Sequence, residues 1–251
     1  MREKHLLIGE PNTSKSWTLI QLAVLMPDRQ VVILDPDDGV SKLIAEIGLE
    51  DALTNLTVVR VTEDWQALIA KYRELKTTLN QGDFLCFDMI NRFWDLSQEF
   101  YSLFVFGESP IEHLLALKKQ VDKASFGGFD GLTDWNIIKR LHNEQLVDDA
   151  VVRSDFNVVA TTGLRQILPV ERAPTTGLES IYARQFRFYP EGEKHNIHRF
   201  DTQAYLYRKA NNTYWFRIIR DRGRPMDMSQ EFEITGSSYW AVYSQMRGLG
   251  V

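Results

Sequence analysis

The feature that most constrains this chain is a set of short, unbroken apolar runs: LLI (6–8), VVIL (31–34), FLCF (84–87) and VVA (158–160). A strand with one wet face alternates apolar and polar residues, so runs without alternation suit strands covered on both faces of a parallel sheet. The segments between them carry helical spacing. Lys15 to Met26 places Trp17, Leu19, Ile20, Ala23 and Val24 on a helix, and residues 40–48 predict a short one. Asp64 to Leu79 predicts an amphipathic helix, Arg92 to Phe106 an aromatic-rich one, and Trp135 to Val152 another. Leu56 to Val61 reads as a further strand. Between residues 107 and 135 a short helix is expected, then a glycine-rich loop at Gly127, Gly128 and Gly131. After the strand at 156–163 comes an irregular stretch with Pro169 and Pro174. TQAYLYRKANNTYWFRIIR predicts a hairpin turned at Asn211-Asn212, and Tyr239 to Met246 a final helix. Strands alternating with helices imply an α/β fold: one doubly wound, mainly parallel sheet flanked by helices, with a late antiparallel hairpin. We expect a single domain over 1–251, with 183–224 a basic, aromatic-rich hairpin region and 225–251 a C-terminal extension.

A chain of 251 residues is long enough to bury such a sheet. The net charge of -5 argues against a general polyanion binder, but residues 183–224 hold ten Lys/Arg against four Asp/Glu. A single cysteine, Cys86, excludes an internal disulfide and fits a reducing compartment. The N-terminal apolar run is too short for a signal peptide or a membrane span, so a cytoplasmic location and no membrane partner are expected.

Where the first strand meets the first helix, the sequence is GEPNTSKSW (9–17). Gly9, Lys15 and Ser16 fall at the spacing of a phosphate-binding loop, G-x-x-x-x-G-K-[ST], and Ser14 stands where that pattern has its second glycine. In such a loop Lys15 reaches the β- and γ-phosphates, Ser16 ligates Mg²⁺, and the helix N-terminus favours anions. The binding segment is then Gly9, Glu10, Pro11, Asn12, Thr13, Ser14, Lys15, Ser16 and Trp17. Ser14 fits such a loop if its backbone is near helical geometry. The strand FLCFD ends in Asp88, placed to hold the Mg²⁺ shell together with Ser16. LDPDDG ends the second strand in Asp35, Asp37 and Asp38. A carboxylate at that edge can polarise an attacking water, and Asp37 is favoured among the three, against the alternative of an acidic turn. Thr161 and Thr162 end a further core strand near the expected γ-phosphate. Arg220, Arg222 and Arg224 alternate at the end of the hairpin, where a planar guanidinium could act across a subunit boundary or simply face solvent.

Taken together, the phosphate loop, the acid-ended second strand, Asp88, the Thr161-Thr162 strand end and the late basic hairpin resemble the RecA-like core of AAA/RecA-type P-loop ATPases. The closest likeness is to compact phage-encoded nucleotide-binding proteins of the Sak-type single-strand annealing group. DPDDG resembles their D-x-E-G-G, and Asp134-Trp135 and Arg220-Asp221-Arg222-Gly223 are similar to further elements. The resemblance spans roughly residues 4 to 224. It implies a RecA-like fold, ATP and Mg²⁺, and a homo-oligomer working on single-stranded DNA in recombination or annealing, in the cytoplasm of a phage host. A single-strand binding protein is among the partners it implies. The loop 126–133 and the stretch 164–180 would face DNA, with Phe126 and Phe129 of the first stacking bases. The competing readings are a DNA-packaging-type motor ATPase, a small kinase, and a degenerate nucleotide-binding scaffold with little turnover.

Overall fold

Each apolar run splits its side chains between two faces, and helices cover both. In a computed structural model, which describes residues 2–61, 64–119, 129–168, 174–222 and 227–248, β1 (Lys4–Gly9) turns Leu6 and Ile8 to one face and Leu7 to the other. β2 (Val31–Asp35), β4 (Phe84–Phe87) and β5 (Asn157–Thr162) divide in the same way. This is why alternation is missing from their sequences. α1 (Lys15–Leu25), α2 (Gly39–Ile47) and α8 (Tyr239–Met246) cover one face with Leu19, Ile20, Val40, Trp240 and Tyr243. On the other, α3 (Trp65–Thr78) and α4 (Ile90–Phe106) bring Trp65, Leu68, Tyr72 and Phe93. Asp64 caps α3 by accepting from the Ala67 amide at 2.7 Å.

With β3 (Leu56–Arg60), β8 (Thr202–Arg208), β9 (Tyr214–Asp221) and β10 (Phe232–Glu233), these strands form one eight-stranded sheet in the order β10-β9-β8-β1-β5-β4-β2-β3. From β8 to β3 the neighbours are parallel; the β8–β9 and β9–β10 pairs are antiparallel. The expected α/β class, its mainly parallel sheet and its late hairpin are therefore present. The hairpin itself is Thr202–Asp221, shorter than the 183–224 region, with Asn212 at φ 63° in its turn. The segment expected as an extension is built into the fold: β10 pairs with β9, and the Trp240 indole donates to Thr18 O at 2.7 Å on α1.

Other differences lie between the core strands. α5 (Pro110–Lys119) and α6 (Thr133–His142) follow α4, and the expected long helix at 135–152 changes to π-helical turns over Asn143–Val152. The stretch read as irregular contains a short ribbon, β6 (Leu164–Gln166) paired antiparallel with β7 (Phe188–Pro190), and α7 (Gly177–Ile181) lies between them. Asp134 is buried and accepts from the Tyr101 hydroxyl at 2.5 Å, which gives the Asp134-Trp135 pair a structural role. Phe129 packs edge-on against Trp135. Phe126, Gly127, Gly128, Pro169, Gly223 and Arg224 lie outside the described residues. Among the described residues, no helix is long and apolar enough to cross a membrane.

Candidate functional site

In an open α/β sheet, ligands bind beyond the carboxyl ends of the strands. Here Gly9, Thr162, Phe87 and Asp35 end the adjacent strands β1, β5, β4 and β2. The chain leaves β1 at Gly9 and turns into α1 at Lys15. A side chain at Gly9 would put Cβ 2.5 Å from both Leu206 O and Thr13 Oγ1, so the close approach of β8 requires glycine there. The loop is held from within. Thr13 Oγ1 donates to Glu10 O at 2.8 Å, and Thr18 Oγ1 donates to Ser14 O at 2.8 Å.

Ser14 differs from the expectation. Its backbone is left-handed, φ 66° and ψ 20°, not near right-handed helical geometry. This is the conformation for which the pattern's glycine is suited, and serine holds it without a side-chain capping bond.

Lys15 is buried and donates to Gly9 O at 2.9 Å and Glu10 O at 2.7 Å. Burial lowers its pKa, while the charges of Asp88, Glu191 and Glu10 oppose that shift. Asp88 lies at the base of the same site. It accepts hydrogen bonds from the hydroxyls of Thr161 and Ser16, and a cis peptide joins it to Met89. Burial raises the Asp88 pKa; the bonds from Ser16 and Thr161 and the charge of Lys15 work against that rise. Lys15, Ser16, Asp88 and Thr161, residues far apart in the chain, thus form one connected cluster. Ser16 and Asp88 offer a hydroxyl and a carboxylate side by side, the hard oxygen donors that Mg²⁺ takes.

The three acids after β2 diverge. Asp35 is buried and accepts from the Val40 amide at 2.8 Å, so it caps α2. Burial raises its pKa against those backbone bonds. Asp38 pairs with Arg60 at 3.6 Å and Lys42 at 3.7 Å. Asp37 is half-exposed and its carboxylate meets Arg92 Nε at 3.3 Å.

A cavity of about 740 Å³ opens over the cluster, within the usual range for small-molecule sites. The whole segment from Gly9 to Trp17 lines it. Met89, Gly163, Leu164 and Gln166 also line it, as do Leu43, Tyr214 and Glu191, three residues that sequence reasoning assigned to no site. Tyr214 was legible only as hairpin packing, and Glu191 sits beyond β7, where no periodicity marks a strand end.

Arg220 and Arg222 are not brought to this cavity. Thr202 pairs with both His5 and Asp221, whereas Gly9 pairs with Leu206. Both arginines therefore sit at the opposite end of the strands, about 13 Å along β1 from the loop. Arg220 donates to Ile197 O at 3.3 Å, and Arg222 pairs with Asp201 at 3.0 Å.

No protein-family model and no curated protein sequence matches the chain. Among solved structures, the crystal structure of the RadB recombinase is similar, with a TM-score of 0.48 and 16% identity, covering 92% of this chain and 87% of that one.

Proposed function

We propose that the chain binds ATP with Mg²⁺ in the Gly9–Trp17 cavity and hydrolyses it, as a homo-oligomer acting on single-stranded DNA in recombination or annealing. The observation that carries this reading is the convergence of Lys15, Ser16, Asp88 and Thr161 beneath one glycine-started loop. Lys15 exchanges its two loop carbonyls for phosphate oxygens, a charge-assisted contact worth about 1.5–3 kcal/mol. Ser16 and Asp88 would hold Mg²⁺, which supplies charge neutralisation on the phosphates when bound. Thr161 keeps the Asp88 carboxylate turned toward Ser16.

The DNA part of the reading draws on the surplus of arginine and lysine in 183–224. At the hairpin tip Lys209 lies over the Trp215 ring at 3.6 Å and Arg208 over Tyr214 at 5.8 Å, pairing positive charge with aromatic faces suited to bases. Arg220 and Arg222, remote from their own loop, would serve the neighbouring subunit's phosphate. A second reading, a nucleotide-binding scaffold with little turnover, is favoured by one feature: the left-handed Ser14 in the loop. Phosphate release from Mg-ATP, measured with and without single-stranded DNA, separates them. Turnover that rises with DNA is expected; bound ATP with no release in either condition selects the scaffold.

A further inference from the structure

A hydrolytic site needs a group to take the proton of the attacking water, and the acids that end β2 and β4 are otherwise engaged. Asp35 caps α2, Asp38 pairs with Lys42 and Arg60, Asp37 pairs with Arg92, and Asp88 holds Ser16 and Thr161. Among the described residues, two acids line the cavity: Glu10, within the loop itself, and Glu191, which enters from the facing wall.

Glu191 follows β7, and the geometry around it is specific. A Cβ at Gly163 would fall 2.1 Å from Glu191 Oε2, so the carboxylate lies directly across the residue that follows β5. Glycine at 163 leaves it that space. Gly192, at φ +94°, lets the chain lie against α4, where a Cβ would come 3.2 Å from Asn91 Cα. Asn91 Nδ2 donates to Glu191 Oε2 at 3.4 Å, while Asn91 Oδ1 is buried and has no partner among the described residues. Nor does any cation pair with Glu191 among the described residues. The result is a carboxylate at the cavity wall, with no ion pair among the described residues and with its charge felt by Lys15, fixed by the Asn91 amide.

We propose that Glu191 is the general base of ATP hydrolysis at this site, with Asn91 as its positioning residue. The proposal rests on the nucleotide reading above. Water oxygen forms a bond to the γ-phosphorus as the bond from that phosphorus to the β,γ-bridging oxygen breaks. The leaving ADP keeps that electron pair, and Glu191 accepts the water proton, giving ADP and inorganic phosphate. Asn91 fixes the carboxylate through its Nδ2. Among the described residues no ion pair has to be broken first, unlike at Asp37.

The test compares the full-length protein with Glu191→Gln and Glu191→Asp, measuring Mg-ATP binding by calorimetry and turnover with single-stranded DNA present. Glu191 is exposed, so neither change threatens folding. Glu191→Gln is expected to bind Mg-ATP at least as tightly as the unmutated chain and to lose about 10²–10⁴-fold in kcat, the range for a general base. Glu191→Asp should recover part of that loss. Turnover retained in Glu191→Gln, or binding lost with it, overturns the proposal. An unmutated chain that binds Mg-ATP but never hydrolyses it also overturns the proposal while leaving the nucleotide site standing. A chain that does not bind Mg-ATP removes the underlying reading instead.

Discussion

At φ 66° Ser14 holds a conformation that costs an L-residue about 1–2 kcal/mol and glycine far less. Its hydroxyl makes no capping bond, so nothing is lost by removing it. Allowing for the greater freedom glycine has when unfolded, Ser14→Gly is expected to raise stability by about 0.5–1 kcal/mol. It should also preserve or raise turnover. Denaturant unfolding checks the first expectation, and a fall in nucleotide affinity would show that the serine touches the ligand. Asp88 carries the opposite kind of cost. Its pKa is raised by burial, so its contribution to stability is fully present below the ordinary carboxylate pKa, near 4, and is lost as pH rises through the raised folded value. At neutral pH the charged, buried carboxylate is a burden on the fold. Asp88→Asn should therefore melt higher than the unmutated chain at pH 7, with the difference shrinking toward pH 4, and should bind ATP less well when Mg²⁺ is present. A lower melting temperature at pH 7 would show that the bonds from Ser16 and Thr161 outweigh the desolvation. The loop, Lys15 and Asp88 were legible because their chemistry is local to short motifs. Glu191 and Asn91 were not, because each is ordinary in its own stretch and only the packing of Gly192 on α4 brings them together.

Among the elements, legibility followed the range of the interactions that form them. β2, β4 and β5 were readable because burial on both faces writes itself into consecutive residues. α8 was found at its true bounds, since one apolar face and a Ser238 cap define it locally; Ser238 Oγ accepts from the Ala241 amide at 2.9 Å. The ribbon of β6 and β7 left no such signal. Each strand is three residues long, β7 ends in Pro190, and Leu164 finds its partner far along the chain. Loop-closing pairs of this kind are decided by tertiary context, not by pattern. The same holds for the change to π-helical turns at Asn143. There the apolar spacing still reads as a helix while the hydrogen bonds shift by one residue. What the sequence concealed is thus the wall of the cavity facing the loop, and what it revealed is the floor.

For the molecule as a whole, the sheet places the Gly9–Trp17 loop at one end of the strands and Arg220 and Arg222 at the other. If the arginines serve catalysis, they serve it on another copy. Arg222, half-exposed, is the better placed. Arg222→Ala and Lys15→Ala should each be inactive alone, yet mixing them should restore part of the turnover, since some interfaces would join an intact loop to an intact arginine. If every mixture stays inactive while the unmutated protein hydrolyses ATP, the arginines have no role across the interface. All of this depends on the loop holding a nucleotide, and the most direct measurement is a calorimetric titration of Mg-ATP into the unmutated chain and into Lys15→Ala. The account predicts saturable binding by the first and a loss of about 1.5–3 kcal/mol in the second, roughly ten-fold to more than a hundred-fold in affinity. Equal affinities, or no binding by the unmutated chain, would contradict it.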